Sequence, residues 1–140
     1  MSGISIRPAR AGEAPAILEV WTRSGSVVTV TDDERSIRAL IEHDPEALLV
    51  AEQDGRLVGT LVAGFDGWRG IFYRLAVVPG ERRRGIGRAL VEAGKRSLKA
   101  RGAARINTYA VTTEDEAMAF WNAVGFESDT RTSRFIKNLD

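Results

Sequence analysis

Residues 75–89 carry the residue types and the spacing of an anion-binding loop. An apolar run ends at a proline, three consecutive arginines follow, and Gly85 and Gly87 stand two positions apart where a helical pattern begins. The first turn of a helix leaves backbone N–H groups without partners and carries partial positive charge. Glycine lets the main chain approach a ligand closely, and a guanidinium group can pair bidentately with phosphate oxygens. The loop is therefore predicted to bind a phosphate or pyrophosphate group.

Two well-known phosphate-binding motifs do not fit this loop. A P-loop requires Lys and then Ser or Thr after its second glycine, and this chain has Arg88 and Ala89 there. A dinucleotide fingerprint requires a third glycine three residues after the second, where Leu90 stands. It also requires an acidic residue about 20 positions further on, and residues 105–110 contain none. The spacing Arg-x-x-Gly-x-Gly thus indicates another kind of phosphate site.

The loop resembles the pyrophosphate loop of the GNAT superfamily of acyl-CoA N-acyltransferases. In that family a strand ending in roughly Leu-x-Val-x-Pro precedes Arg or Gln, two residues, Gly, one residue, and Gly or Ala, and residues 75–87 follow this pattern. A second match lies at residues 117–126, which supply the family's Ala, aromatic pair and closing Gly-Phe. The chain is identified on these two motifs as a member of the superfamily. Residues 65–75 resemble a small bacterial single-domain branch of it.

The resemblance implies an acetyl-CoA-dependent N-acetyltransferase. Such an enzyme moves an acetyl group to a primary amine of a small molecule or peptide by direct transfer in a ternary complex. The resemblance also implies that acetyl-CoA is held by Leu75, Ala76, Val77, Arg82, Arg83, Arg84, Gly85, Ile86, Gly87, Arg88, Ala89 and Trp121. By resemblance to the family's strand bulge, the backbone N–H of Val77 is expected to polarise the thioester carbonyl, a contribution of about 3–4 kcal/mol.

The proton donor is where the chain departs from the family. The family usually has Tyr as the second aromatic residue of the downstream motif, whereas this chain has Trp121, whose indole N–H does not act as an acid. Tyr109 is the predicted catalytic acid, and Tyr73 is the alternative. A thiol has a pKa of about 8.5, so solvent protonation of the leaving thiolate is a third option. The missing Tyr also leaves open a second function, a catalytically weak acyl-CoA-binding or sensing domain.

The general base is not marked by any motif. The predicted strand over 71–78 has no carboxylate, so Asp66, Glu19 and Asp32 are the candidates, each acting through water. His43, the single histidine, stands at the end of a polar helix, where histidine commonly interacts with the helix dipole. Without a second histidine or an acidic cluster at ligand spacing, no metal site is expected.

The hydropathy pattern predicts the elements that position these residues. Apolar residues alternate in the predicted strands and recur at spacings of three and four in the predicted helices. The expected order is β-α-α-β-β-β-α-β-α-β. Strands are expected near 4–8 and over 47–53, 56–65, 71–78, 105–111 and 132–139. Helices are expected over 13–24, over 87–101 and over 115–124, and a further helix, the second in the order, is expected to begin after a cap at Thr31 or Asp32. This is an α/β fold, a GNAT-like mixed and largely antiparallel sheet with helices on both faces. The resemblance adds a V-shaped splay between the strands at 71–78 and 105–111.

Composition limits the classes of function. The chain has 140 residues, 44% hydrophobic and 28% charged, which fits one domain over residues 1–140. Its net charge of +1 gives no strong attraction to nucleic acid or membrane, so neither is an expected partner. The absence of cysteine excludes disulfides and a cysteine acyl-enzyme. No stretch approaches the roughly 18 apolar residues of a membrane span. A cytoplasmic location is expected, with a homodimer left open.

Overall fold

Five strands form one sheet in the part of the chain that the structure, a computed structural model, describes: residues 3–26 and 28–139. The strands are β1 (Ile4–Pro8), β2 (Leu48–Gln53), β3 (Arg56–Phe65), β4 (Gly70–Val77) and β5 (Ile106–Thr108), and they lie side by side in this order. Strands β1 to β4 pair antiparallel, whereas β4 and β5 pair parallel. The sheet is therefore mixed and largely antiparallel, as the sequence predicted.

The α-helices of these described ranges are α1 (Ala14–Arg23), α2 (Glu34–His43), α3 (Ile86–Ala100) and α4 (Asp115–Ala123). Helix α2 begins where the Asp33 carboxylate accepts a hydrogen bond from the Ser36 N–H (2.7 Å), so Asp33 is the cap in place of the expected Thr31 or Asp32. The element order as far as α4 agrees with the order expected from the sequence. None of the described helices is both long enough and apolar enough to cross a membrane.

Successive residues of β3 face opposite sides of the sheet, and a helix covers each side. A Cβ atom added at Gly59 would lie 3.1 Å from side-chain atoms of Ile86 and Leu90, so this position faces α3. The next residue, Thr60, accepts a hydrogen bond from the indole Nε1 of Trp21 (2.9 Å) and therefore faces α1. The prediction of helices on both faces of the sheet is confirmed.

Helix α3 packs closely on the sheet at Gly94. A Cβ atom there would lie 2.9 Å from Leu61 Cδ2 and from Phe72 Cε1, and both of these side chains are fully buried. Carbon atoms in favourable contact are about 3.5–4.0 Å apart, so only glycine fits this crossing without a shift. The close approach holds α3, and with it the loop that precedes the helix, against β3 and β4.

The chain divides into two compact units, Met1–Thr108 and Tyr109–Asp140. The first holds the sheet and helices α1 to α3, and the second holds α4.

The strand expected over 105–111 is reduced to the three residues of β5. The final strand expected over 132–139 is not formed. These described residues are irregular and exposed, and Phe135 is 94% exposed. A strand requires a paired neighbour and a buried face. The single domain over 1–140 stays a prediction.

Candidate functional site

The loop between β4 and α3 turns through two residues with positive φ. Arg83 has a φ of 66°, which is uncommon outside glycine, and Gly85 has a φ of 80° and caps the helix. The first hydrogen bond of α3 runs from the Ala89 N–H to the Gly85 carbonyl (3.0 Å). The N–H groups of Ile86 and the two following residues come before that bond, so the helix itself offers them no acceptor. The backbone thus gathers three N–H groups at the positive end of a helix dipole.

The arginine run does not present three equivalent charges to solvent. Arg82 donates from Nε to the Val77 carbonyl (3.1 Å) and from Nη2 to the Ser24 carbonyl (2.9 Å). Arg84 forms an ion pair with Glu81. Arg88 has an exposed side chain in the first turn of α3. Arg82 and Arg84 therefore shape the loop and its surroundings, a role that the sequence did not indicate.

The main chain of Val77 faces the outer edge of β4. The Val78 N–H donates to the Val58 carbonyl of β3 (3.0 Å), and consecutive residues of a strand direct their N–H groups to alternate sides. The Val77 N–H therefore points away from β3, and the Val77 carbonyl on the same side is reached by Arg82. Among the described residues, the pairing of β4 with β5 ends at Phe72 opposite Thr108. Beyond Phe72, β5 no longer covers the outer edge of β4 where Val77 lies.

Strand β4 carries a β-bulge. Thr60 pairs with Ala76 and Val62 pairs with Tyr73, so Arg74 and Leu75 together lie opposite a single residue of β3. Arg74 has a φ of 50°, in the left-handed region. The bulge therefore lies at Arg74–Leu75 rather than at Val77, where the resemblance suggested it.

The bulge changes the face on which Tyr73 lies. Tyr73 pairs with Val62 and Val77 pairs with Gly59, and these partners are three residues apart on β3. Because side chains alternate along a strand, Tyr73 and Val77 point to opposite faces of the sheet. Tyr73 is 49% exposed. Tyr73 therefore lies outside the core, although simple alternation along residues 71–77 would place it on the same face as Val77.

A chain of polar contacts lies beneath the bulge. Trp21 Nε1 donates to Thr60 Oγ1 (2.9 Å), and Thr60 Oγ1 donates to the Arg74 carbonyl (2.9 Å). The Arg74 guanidinium pairs with the Asp32 carboxylate and lies 5.5 Å from the centre of the Trp21 ring. The sequence did not indicate this network. Its one local signal is Thr60, a hydroxyl residue within the apolar stretch 57–63.

The three candidate bases lie in different surroundings. The Asp66 carboxylate accepts hydrogen bonds from the backbone N–H groups of Arg69 (2.7 Å) and Trp68 (2.8 Å), which hold the pKa of Asp66 below its ordinary value. Asp32 is engaged by Arg74. Glu19 is exposed on α1. The structure does not bring the three together, and within the described residues no cluster of His, Cys, Asp and Glu could hold a metal ion.

Tyr109 and Trp121 belong to the second unit. Tyr109 is 51% exposed, and the Arg134 guanidinium lies 5.3 Å from the centre of its ring. Trp121 packs edge-on against Phe120 and Phe126, with ring centres 5.2 and 5.1 Å apart. The indole of Trp121 is thus part of an aromatic cluster, as a packing role requires. The contact of both residues with a coenzyme stays a prediction.

Known proteins resemble this chain in both sequence and fold. Residues 14–126 match the model of the acetyltransferase (GNAT) family. An acetyltransferase of Pectobacterium atrosepticum is 33% identical over 125 residues, which cover 89% of each protein. Ard1 from Thermoplasma volcanium has a TM-score of 0.80 at 22% identity, covering 89% of this chain and 83% of that chain. A PaiA N-acetyltransferase from Thermoplasma acidophilum, solved in complex with coenzyme A, has a TM-score of 0.79 at 17% identity and covers 92% of each chain.

Proposed function

The chain belongs to the GNAT acetyltransferase family, and from this premise we propose that it is an acetyl-CoA-dependent N-acetyltransferase. The proposed acceptor is a primary amine of a small molecule or peptide. The proposed transfer is direct, within a ternary complex of protein, acetyl-CoA and amine. The structural neighbour solved in complex with coenzyme A is an N-acetyltransferase, which supports both the co-substrate and the kind of acceptor.

The observation that carries the proposal is that main-chain N–H groups are presented at two places after the bulge of β4, at Val77 and at the start of α3. The N–H groups at the start of α3, a helix of 15 residues, suit a pyrophosphate because the helix dipole adds to their charge. The N–H of Val77, on the outer edge of β4, suits a carbonyl oxygen that gains negative charge during the reaction. One set would hold the coenzyme at its pyrophosphate, and the other would polarise its thioester.

The proposed reaction forms one C–N bond and breaks one C–S bond. The nitrogen of a neutral amine attacks the thioester carbonyl carbon, and the coenzyme leaves as a thiolate. The attacking nitrogen loses a proton, which we assign to water, because Asp32 is engaged by Arg74 and two N–H groups stabilise Asp66 as the anion. The thiolate gains a proton, for which Tyr109 is the proposed donor and solvent is the alternative.

The proposed contacts with acetyl-CoA divide into main chain and side chains. The backbone of residues 75–77 and 85–89 supplies the main-chain contacts, while Arg83 and Arg88 supply positive charge. Arg82 and Arg84 act through the shape of the loop, and Trp121 packs against the coenzyme. A cytoplasmic location is part of the same proposal.

A charge placed at the start of α3 tests the proposed coenzyme site. Gly87→Glu adds bulk and a negative charge where the pyrophosphate is proposed to bind. We expect the acetyl-CoA affinity measured by calorimetry to fall by about a hundredfold or more, with the circular dichroism spectrum unchanged. Gly12→Glu is the matched control, because a side chain there meets open space. Equal affinities for the two variants would contradict the site.

Thiol release tests turnover. With acetyl-CoA and a panel of primary amines, an N-acetyltransferase releases free thiol faster in the presence of at least one amine. Tight binding of acetyl-CoA without release for any amine would instead establish the alternative, an acyl-CoA-binding or sensing domain, which is favoured by Trp121 standing where the family usually has Tyr.

A further inference from the structure

The Thr60 hydroxyl supplies a hydrogen bond to a main-chain carbonyl at the bulge. An extra residue in one strand takes main-chain groups out of the ladder between the strands. The carbonyl of Arg74, at the bulge, accepts its hydrogen bond from the side chain of Thr60 (2.9 Å). Thr60 is completely buried. A buried hydroxyl in an apolar strand is costly unless it is bonded, so its place beneath the bulge is specific.

Trp21 sets the direction of the Thr60 hydroxyl. A threonine hydroxyl has one hydrogen to donate and lone pairs that accept. The indole Nε1 of Trp21 can only donate, and it does so to Thr60 Oγ1 (2.9 Å). The hydroxyl hydrogen is therefore left for the Arg74 carbonyl. Trp21 is buried, so this arrangement lies out of contact with solvent.

Contacts of the Arg74 side chain also hold this bulge residue in place. A non-glycine residue with a φ of 50° persists only where its surroundings hold it in place. The guanidinium pairs with the Asp32 carboxylate, whose side chain is 7% exposed, and lies 5.5 Å from the centre of the Trp21 ring. The bulge residue is thus held at its carbonyl by Thr60 and at its guanidinium by Asp32 and Trp21.

The position of the bulge decides which way the Val77 N–H points. With the bulge at Arg74–Leu75, Val77 pairs with Gly59 and its N–H faces the outer edge of β4. If the bulge were lost and Arg74 and Leu75 each paired with a residue of β3, the end of β4 would slip by one position and Val77 would pair with Val58. A slip of one residue reverses every direction along a strand, so the Val77 N–H would then point into the sheet.

We propose that Thr60, oriented by Trp21, is a positioning residue that fixes the β4 bulge and thereby presents the Val77 N–H to the thioester. The presentation to the thioester rests on the proposed function. The control of the strand register by Thr60 does not, because it can be measured in the protein without substrates. Thr60 touches no reacting atom in this proposal and acts through the strand it holds.

Thr60→Val and Thr60→Ser form the test, because the first removes the hydroxyl at nearly constant volume and the second keeps it. We expect Thr60→Val to lower kcat by about tenfold or more, since a displaced backbone donor loses its stabilisation of the transition state. The dissociation constant for acetyl-CoA should stay within about threefold, because the α3 amides are untouched. Thr60→Ser should return kcat to within about threefold of the wild-type value. Ile37→Val, a buried change on α2, controls for a general loss of stability.

An NMR measurement reads the register directly. Gly59 and Val77 form a pair without mutual hydrogen bonds, in which the two Cα atoms come closest, so their Hα atoms give a strong cross-strand NOE. We expect this NOE to fall by at least about half in Thr60→Val and to persist in Thr60→Ser and Ile37→Val. An intact NOE in Thr60→Val, or a lost NOE with unchanged kcat, would overturn the proposal. If the wild-type protein transfers no acetyl group, the proposed function fails, while the NOE still decides whether Thr60 sets the register.

Discussion

The guanidinium group of Arg82 ties the end of β4 to the end of α1. It donates to the carbonyls of Val77 and Ser24, so its charge is directed at the main chain. The Arg88 side chain is exposed in the first turn of α3, at the proposed coenzyme site, where salt would screen the charges of exposed phosphates. We expect Arg88→Ala to flatten the salt dependence of acetyl-CoA affinity in calorimetry at low and high NaCl. Arg82→Ala should leave the slope nearly unchanged and lower the free energy of unfolding by about 1 kcal/mol.

The opposite result, a larger loss of slope in Arg82→Ala than in Arg88→Ala, would mean that Arg82 leaves its carbonyl partners when the coenzyme binds. Urea denaturation of both variants supplies the stability values.

Tyr109 and Tyr73 form a matched pair for testing the proton donor, since they are 51% and 49% exposed. A positioned acid typically contributes a factor of about 10²–10⁴ to the rate. Tyr109→Phe should therefore lower kcat by about a hundredfold or more at nearly constant acetyl-CoA affinity, while Tyr73→Phe should turn over normally. Steady-state thiol release and calorimetry measure the two quantities. Normal turnover of both variants would leave solvent as the proton source.

Residues differ in how far sequence alone indicates their role. Gly85 and Gly87 are found by spacing, because the loop and the helix start are local features. Thr60 is separated by 39 residues from its donor Trp21 and by 14 from its acceptor Arg74, so its role appears only when the strands are paired. The bond from Arg82 to Ser24 was not indicated for a similar reason, because the two residues lie 58 positions apart.

At the scale of elements, the contact between α3 and the sheet sets a steric limit at Gly94. Alanine normally favours a helix over glycine by about 1 kcal/mol. A Cβ atom at this position would nevertheless lie 2.9 Å from the buried side chains of Leu61 and Phe72. We expect Gly94→Ala to lower the free energy of unfolding by about 1–3 kcal/mol, measured by urea denaturation. Gly12→Ala, where a Cβ atom meets open space, is the control, and a Gly94→Ala protein as stable as this control would refute the packing argument.

The elements themselves were largely predictable. Strand β4 was expected over 71–78 and spans Gly70–Val77, and α3 was expected over 87–101 and spans Ile86–Ala100. Hydropathy repeats report both the type and the length of such elements. They do not report the bulge, since one inserted residue in eight barely alters an alternation. They also predicted a strand over 132–139, where the pattern is present but the described residues form no pairing.

At the scale of the whole molecule, acid should weaken the first unit through Glu13. Arg7 on β1 pairs with Glu13, ahead of α1, and with Glu52 on β2. The hydrogen bond from Arg7 is the main cause that lowers the pKa of Glu13 below its ordinary value of 4.5. A lowered folded-state pKa contributes stability that is present above the unfolded-state pKa and is lost as the pH falls through the folded-state value. We therefore expect the free energy of unfolding to fall below about pH 4.5, and to fall less in Glu13→Gln.

Urea denaturation across this pH range measures the effect. Arg7→Met should also remove this part of the pH dependence, because it breaks the same pair with Glu13 along with the pair with Glu52. A Glu13→Gln profile parallel to that of the wild type would contradict the assignment.

The bulge at Arg74–Leu75 also limits how the length of β4 can change over evolution. Removing one residue at the bulge would restore a regular ladder with Val77 still opposite Gly59, but it would remove the inserted residue whose carbonyl Thr60 binds. Removing two would bring Val77 opposite Thr60 and turn its N–H into the sheet. Relatives that vary in length around this strand should therefore place their insertions in the hairpin before Gly70 or after Pro79, where no count of residues has to be preserved.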